Sequence, residues 1–370
     1  MRRKIGIITH WDIPNYGTFL QAYGLQHFLA NMLPDDDVYQ IAYMNKRHKK
    51  VYYSYEVHEN YHYWIINPFF YRDVIRRLRD YSIIKKVRRF HDYYLNYTVH
   101  TRELSSHELQ KEKFDIIVLG SDILWDFSMA SFGNDKHMFG LGLNADKIIS
   151  YAASFGTVKN GTKLPEYVET GIKGLDAIAV RDDNSVAIAK KISKKAVVQT
   201  IDPTWLWNFK EDSNVVDSPM KDKYIVVYGL EFPEDMIEEA VKYARDNEYK
   251  IVCLDGGREK CTWCDIFIEQ GDITPFEWCG YIKDAEIVMT CAFHGLVFSL
   301  TFQKKIFFYA TQFMLDKASS TINMLGLEDV LIDNKSINYA VSYSWNYERI
   351  SKKIDELRDY SIEYIRNNIL

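Results

Sequence analysis

The feature that most constrains the fold is a repeated order of short apolar runs, each followed by a polar loop and a stretch with helical spacing. The first run spans Lys4 to Thr9, helical spacing follows from Phe19 to Leu29, and a second run spans Val38 to Tyr43. Such runs are typical of parallel strands buried on both faces, and their alternation with helices predicts βαβ units. We therefore expect an α/β fold.

The runs form two series, which indicates two domains, the number that a length of 370 residues also favours. A polar stretch at about 210–223 separates the series. We predict an N-terminal domain at 1–215 with a basic, aromatic and mostly helical insertion at about 46–112, a C-terminal domain at 220–345, and a last helix at 346–370. The further predicted strands are 114–119, 147–151, 177–180, 196–201, 224–228, 250–254, 286–290 and 305–309.

The composition argues against several classes of protein. A net charge of −5 does not favour a nucleic-acid binder that works through bulk charge. No apolar run approaches the roughly 20 residues of a membrane span, and the first residues lack the apolar region of a signal peptide. Cys261 and Cys264 have no second Cys or His pair nearby, so a zinc site is not expected. These features predict a cytoplasmic protein.

Three loops that follow predicted strands of the first domain carry polar residues suited to chemistry. The first contains Asp12 and Asn15, which can contact sugar hydroxyls, and Asp12 can also act as a base. The second contains Gly120-Ser121-Asp122, and the third begins with Arg181, whose planar fork suits a phosphate or carboxylate. Each has a structural alternative, because Asn, Ser and Asp also cap helices and an arginine also pairs with neighbouring acids.

The most informative loop lies in the second domain, where Phe293-His294-Gly295 follows a predicted strand and opens a helix. A histidine at a helix start can bind phosphate or act as a general acid, although a lone histidine is more often structural.

The segment Arg72 to Arg89 carries eight basic residues against two acidic ones, beside an apolar stripe. Such a helix can rest on anionic lipid, or its charged face can simply be solvated.

Taken in order, these motifs resemble the polysaccharide pyruvyl transferase family from Lys4 to about Ile332. The resemblance rests on Asn15-Tyr16-Gly17 with Leu20-Gln21-Ala22-Tyr23, Gly120-Ser121-Asp122 with Trp125, Ser150-Tyr151-Ala152-Ala153-Ser154-Phe155-Gly156, Val180-Arg181-Asp182, Asp202-Pro203-Thr204 and Phe293-His294-Gly295. The chain departs from the family at Ile123, Asp126 and Cys291, where Gln, Asn and Asp are usual.

The resemblance implies two Rossmann-like domains facing a cleft, like those of the GT-B glycosyltransferases. It also implies transfer of pyruvate from phosphoenolpyruvate, as a ketal, to a sugar of a cell-surface polysaccharide precursor. The partners would be phosphoenolpyruvate and a sugar or lipid-linked oligosaccharide acceptor, with peripheral membrane contact through 72–89 at the inner face of the membrane. The reaction scheme requires no metal and no cofactor beyond this co-substrate.

The resemblance also implies roles for individual residues. The catalytic candidates are His294 as acid and Asp12 or Asp122 as base. The donor-binding candidates are Arg181, His294, Gly295 and Lys317, and the acceptor-binding candidates are Asn15, Tyr16, Gly17, Ser121 and Trp125. Two other functions remain open at this point: a GT-B glycosyltransferase that uses a nucleotide-sugar, and a sugar-binding protein without catalytic activity.

Overall fold

The first domain is built on a parallel sheet. The computed structural model describes residues 2–52, 75, 81–129, 134–229, 232–255, 261–333 and 336–370. Strands β1 (Lys4–Ile8), β2 (Asp37–Gln40), β3 (Lys113–Leu119) and β4 (Asn144–Ser150) lie in the order β2-β1-β3-β4. Strands β5 (Ile178–Val180) and β6 (Val197–Gln199) continue beyond β4 through parallel bridges between Ile149 and Ala177 and between Ala153 and Val180.

The second domain has a parallel sheet of its own. It contains β7 (Tyr224–Gly229), β8 (Lys250–Asp255), β9 (Ile266–Ile268), β10 (Ile287–Thr290) and β11 (Lys305–Phe308), in the order β11-β10-β7-β8-β9. Every predicted strand is present within a few residues of its expected ends. The β9 strand is not among the predicted ones; it is defined by its parallel pairing with β8.

Helices cover the sheets. They are α1 (Tyr16–Met32), α2 (Lys46–Tyr52), α3 (Tyr81–Tyr97), α4 (Ser106–Leu109), α5 (Glu166–Gly174), α6 (Asp183–Ile192), α7 (Glu234–Asp246), α8 (Pro275–Asp284), α9 (Phe293–Thr301), α10 (Gln312–Leu325), α11 (Ile337–Ser342) and α12 (Tyr347–Ile369). None of the described helices combines the length and apolar character that crossing a bilayer requires.

The two domains share apolar cores, which fixes the orientation of one against the other. One core joins Ile7 and Ile149 of the first sheet to Leu296 and Ile306 of the second domain. Helix α1 is buried on nearly every side because it lies between the domains. Such shared cores hold the strand ends of the two sheets close together.

The C-terminal helix α12, predicted over the same residues, returns to the first domain. Tyr364 donates a hydrogen bond from its hydroxyl to the Ser150 carbonyl at 2.8 Å, and the Ile201 amide donates to Ser361 Oγ at 3.1 Å. The apolar residues of α12 join the core that contains Ile7. This helix therefore fastens the end of the chain to the domain in which the chain begins.

The segment predicted as a helical insertion contains α2, α3 and α4, but part of it is extended. His100 and Leu104 form parallel bridges with Gln40 and Tyr43, so this stretch runs along the edge of the first sheet. Apart from position 75, the first half of the basic segment predicted over 72–89 lies outside the described residues, and so do its four arginines at positions 72, 76, 77 and 79.

The described basic residues of α3 contact the second domain. Lys85 Nζ lies 3.1 Å from Asp272 Oδ1, and Arg89 pairs with the same carboxylate. Tyr93 donates from its hydroxyl to the Gly271 carbonyl at 3.2 Å. Helix α3 is therefore a bridge between the domains, and membrane contact through 72–89 stays a prediction.

Candidate active site

A cavity of about 380 Å³ lies where the carboxyl ends of strands from the two sheets meet. It has polar groups on both sides and an aromatic wall. Its described lining consists of Asn15, Thr18 and Asp122 from the first domain and Tyr228, Gly229, Cys291, Ala292, Phe293, His294, Thr311, Phe313, Met314 and Lys317 from the second.

His294 enters this cavity from the first turn of α9, directly after β10. Ala292, the residue that precedes the helix, provides no side-chain cap, so the first amides of α9 keep hydrogen-bonding capacity for a ligand. The Nε2 atom of His294 is buried and has no hydrogen-bond partner among the described residues; Asp202 Oδ2 is 3.7 Å away. A histidine held in this way can bind an anion or deliver a proton.

Arg181 lies behind the cavity in a buried ion-pair cluster. Its Nη1 donates to Asp202 Oδ2 at 2.6 Å, and its Nη2 is 3.6 Å from Asp122 Oδ1. The guanidinium carbon sits 4.3 Å from the centre of the Phe293 ring. Nε and Nη2 are buried and have no hydrogen-bond partner within the part of the chain that the structure describes.

The carboxylate of Asp122 is held in position by hydrogen bonds and by neighbouring basic side chains. It takes up a left-handed backbone conformation, with φ of 71°, and accepts hydrogen bonds from Thr18 Oγ1 at 3.2 Å and from the Ile123 amide at 2.9 Å. Burial alone would raise its pKa, but the positive charge of Arg181, followed by His294 and Lys317, lowers that pKa well below its usual range. A carboxylate so acidic is a weak base.

Asp202 is the second charge that organises the cluster. Its Oδ1 accepts from the Thr204 amide at 3.0 Å and from the Thr204 hydroxyl at 2.7 Å. Burial opposes its ionisation, but the neighbouring His294 and Arg181 hold its pKa far below normal. Asp202 therefore stays ionised and compensates the charge of Arg181.

Lys317 supplies a cation on the cavity wall from α10. Its Nζ lies 4.1 Å from the centre of the Phe313 ring. Burial lowers the pKa of Lys317 to about 8, against the opposing charge of Asp122. The side chain is therefore mostly protonated at neutral pH but titrates more easily than an exposed lysine.

The structure does not bring Asp12 into this cavity. Asp12 lines a separate cavity and its Oδ2 lies 2.7 Å from His91 Nδ1 on α3. This hydrogen bond, more than the charge of the same carboxylate, raises the pKa of His91. Asp12 also has a left-handed backbone, with φ of 59°. Its predicted role as a base stays a prediction.

Several residues predicted to bind the donor or acceptor lie instead in packed surroundings. Tyr16 is buried, and its hydroxyl accepts from the Gly271 amide at 2.9 Å. Ser121 donates from its hydroxyl to Gln21 Oε1 at 2.8 Å, and the fully buried Trp125 donates to the Met138 carbonyl at 2.9 Å. Gly295 packs against Thr290 and Tyr228, where a Cβ would lie 3.1 Å from Tyr228 Cδ1.

Asn15 combines the two roles that the sequence left open. Its Oδ1 caps α1 by accepting from the Thr18 amide at 3.0 Å, and the same residue lines the cavity.

Asp202, Thr18 and His91 are not among the predicted site residues. Asp202 has a sequence signal, since it follows the strand β6 and precedes a proline, whereas His91 is brought in by a long-range contact that no local pattern reveals.

The described residues contain no group of three or more His, Cys, Asp or Glu side chains that could hold a metal ion. Cys264 donates from its thiol to the Cys261 carbonyl at 3.3 Å, and both cysteines pack against the apolar core of the second domain. The Cys261 thiol also interacts with the thiols of Cys253 and Cys264.

The two facing parallel sheets and the cavity between their strand ends define an α/β protein of the GT-B class. The chain belongs to the polysaccharide pyruvyl transferase family, a transferase family whose model matches residues 15–312. A comparison with curated proteins finds no match.

Solved structures of the GT-B class are similar to this chain in fold. A UDP-N-acetylglucosamine 2-epimerase matches 99% of this chain and 96% of its own, with a TM-score of 0.54 and 10% identity. A putative UDP-N-acetylglucosamine 2-epimerase from Listeria monocytogenes matches 97% of this chain and 91% of its own, with a TM-score of 0.51 and 8% identity. At these identities the likeness concerns the fold alone.

Proposed function

We propose that this protein transfers pyruvate from phosphoenolpyruvate to a sugar hydroxyl pair, forming a ketal. The observation that carries the proposal is a group of three basic side chains at one cavity between the domains. His294 and Lys317 line this cavity, and Arg181 lies behind it. Arg181 and His294 keep buried nitrogen atoms without hydrogen-bond partners among the described residues. A small co-substrate that carries both a phosphate and a carboxylate matches these unpaired nitrogen atoms and the basic side chain of Lys317.

The residues also match the charge changes of the reaction. Protonation of the donor's methylene carbon creates a cation-like centre at the adjacent carbon, and His294 in its protonated form is the acid that lines the cavity. One sugar hydroxyl then forms a bond to that centre and loses its proton to His294, which the first step has left neutral. The second hydroxyl forms the other ketal bond as the carbon–oxygen bond to phosphate breaks. Phosphate leaves with the electron pair of that bond and takes up the proton of the second hydroxyl.

Lys317 and the first amides of α9 would stabilise the phosphate as it leaves. Asp122 and Asp202 serve this arrangement mainly by fixing the cations. Asp122 orients Thr18 and pairs with Arg181, while Asp202 contacts Arg181 and His294. The developing negative charge on phosphate therefore meets groups that are already in place.

Thermal unfolding in the presence of candidate donors tests the proposal. Phosphoenolpyruvate should raise the melting temperature by mass action, since a ligand present at a hundred times its Kd adds about 2.7 kcal/mol of stability. Inorganic phosphate and pyruvate at equal concentrations are the controls for its two halves and should stabilise less. Stabilisation by nucleotide-sugars with no effect of saturating phosphoenolpyruvate would support a glycosyltransferase instead.

A further inference from the structure

Three of the five cysteines of the chain lie together in the second domain. Cys253 is the fourth residue of β8, and Cys261 and Cys264 follow in the connection that leads to β9. Because β8 and β9 are parallel neighbours, this connection has to return along β8 to the point where β9 begins, beside Val252. The return brings Cys261 and Cys264 to the apolar core that contains Cys253.

The three thiols are grouped around Cys261. The Cys261 thiol interacts with the thiols of both Cys253 and Cys264. The Cys264 thiol also donates a hydrogen bond to the Cys261 carbonyl at 3.3 Å. Cys261 is therefore the central member of this cluster, with one sulfur on the strand and another in its own loop beside it.

These contacts make Cys261 the most acidic of the three thiols. Hydrogen bonding from the Cys253 thiol lowers the pKa of Cys261 below that of an ordinary thiol, and the same interaction raises the pKa of Cys253. Burial raises the pKa of Cys264 to about 11. At neutral pH Cys261 is therefore the member that carries the thiolate, which is the nucleophilic form.

Cys261 is also accessible from the solvent. Cys261 and Cys264 are partly exposed, whereas Cys253 is buried. A cavity of about 670 Å³ lies beside the loop, and Trp263 and Cys264 form part of its lining. An acidic and partly exposed thiol beside a second, buried thiol is the arrangement that redox-active cysteine pairs require.

Two observations favour Cys253 over Cys264 as the partner of Cys261. The interaction between Cys253 and Cys261 is the largest influence on the pKa of both thiols, whereas burial has the largest influence on Cys264. The Cys264 thiol is also directed to the Cys261 carbonyl. Cys264 therefore acts as a neighbour that stabilises the thiolate.

We propose that Cys261 is a site of reversible oxidation by low-molecular-weight disulfides, with Cys253 as the second thiol. The Cys261 thiolate attacks one sulfur of the reagent, the reagent's S–S bond breaks, and one thiol leaves with the electron pair. Cys253 then attacks the Cys261 sulfur of this mixed disulfide, and the second reagent thiol leaves. The two cysteines thereby lose two electrons and two protons, which the two released thiols carry away.

Disulfide mapping after incubation with oxidised glutathione tests the proposal. The reduced full-length protein is incubated with the reagent, its remaining thiols are alkylated in denaturant, and its peptides are identified by mass spectrometry. We expect a linked pair of peptides that contains Cys253 and Cys261, and dithiothreitol should restore all five thiols. Cys261 should react at least about tenfold faster than Cys279, whose pKa is raised by burial in another apolar core.

Variants separate the two steps of the reaction. Cys253→Ser should stop at the mixed disulfide of Cys261 with glutathione, and Cys261→Ser should prevent both steps. The matched control is Cys264→Ser, which should still form the disulfide between Cys253 and Cys261. Circular dichroism should show each variant folded, and the map of the wild-type protein decides the question where a variant does not fold.

Two results would overturn the proposal. One is a disulfide between Cys261 and Cys264 in the wild-type protein, and the other is the absence of any disulfide within the folded chain after incubation with oxidised glutathione. Neither measurement involves phosphoenolpyruvate, so the result is independent of the proposed transfer reaction.

Discussion

Gly17 and His294 contact each other across the two domains, and the contact depends on the missing side chain of Gly17. A Cβ built on Gly17 would lie 2.5 Å from the Cβ of His294 and would also overlap the imidazole ring. Carbon atoms do not approach so closely, so either residue would have to move. The first domain thereby positions the histidine that the second domain supplies.

The first prediction follows from this contact. Gly17→Ala should displace His294 and reduce turnover about a hundredfold, because a shift of about 1 Å in a positioned group has that effect. The matched control is Gly174→Ala at the end of α5, where a Cβ meets nothing within 4 Å. Steady-state kinetics of the two variants provide the comparison, and normal turnover in Gly17→Ala would show that the ring position is not critical.

The second prediction separates acid catalysis from anion binding at His294. His294→Ala should lower turnover about a hundredfold to ten-thousandfold, the range for a lost general acid. His294→Gln keeps a hydrogen-bond donor but cannot transfer a proton, so it should restore phosphoenolpyruvate affinity without restoring turnover. Near-normal turnover of His294→Gln would mean that the histidine only binds.

The third prediction concerns the buried cluster. Asp202→Asn removes the charge that compensates Arg181, so it should destabilise the protein by about 3 kcal/mol, as expected when one member of a buried pair is lost. Glu169→Gln, which breaks an exposed pair with Lys173, is the control and should cost less than about 0.5 kcal/mol. Equal urea midpoints for the two variants would argue against the cluster as a source of stability.

The fourth prediction concerns pH. Burial lowers the pKa of Lys317 to about 8, and only its protonated form attracts the donor's phosphate. Phosphoenolpyruvate affinity should therefore fall about tenfold between about pH 7 and about pH 9, a range in which the phosphate itself is already ionised. The side chain of the Lys317→Arg variant stays charged, so its affinity for phosphoenolpyruvate should not change over this pH range. A fall in the affinity of the arginine variant over the same range would mean that another group titrates.

Much of the fold could be predicted because the signals are local. The apolar runs that form β1, β3, β7 and β10 are continuous and end at polar or glycine residues, and α12 shows its helical spacing over its whole length. The position of His294 at a helix start follows from the same reasoning. These features depend on residues that are close in the sequence.

The site could be predicted only in part, because several motif residues serve packing. Trp125 and Tyr16 belong to the quoted motifs but are buried, and their polar atoms bond to Met138 and Gly271. The pairing of Asp12 with His91 joins residues that are 79 positions apart. Whether a polar residue faces a cavity or the core depends on contacts between residues that are distant in the sequence. The spacing of motifs does not predict such contacts.

The most direct test of the account is a crystal structure with phosphoenolpyruvate bound. We expect the donor in the cavity between the domains, with oxygen atoms within about 3 Å of His294 Nε2 and Lys317 Nζ, the distance of a hydrogen bond. Crystals of Lys317→Gln grown and soaked in the same way should show weaker occupancy. Phosphoenolpyruvate bound elsewhere, or a nucleotide-sugar occupying this cavity while phosphoenolpyruvate does not, would contradict the account.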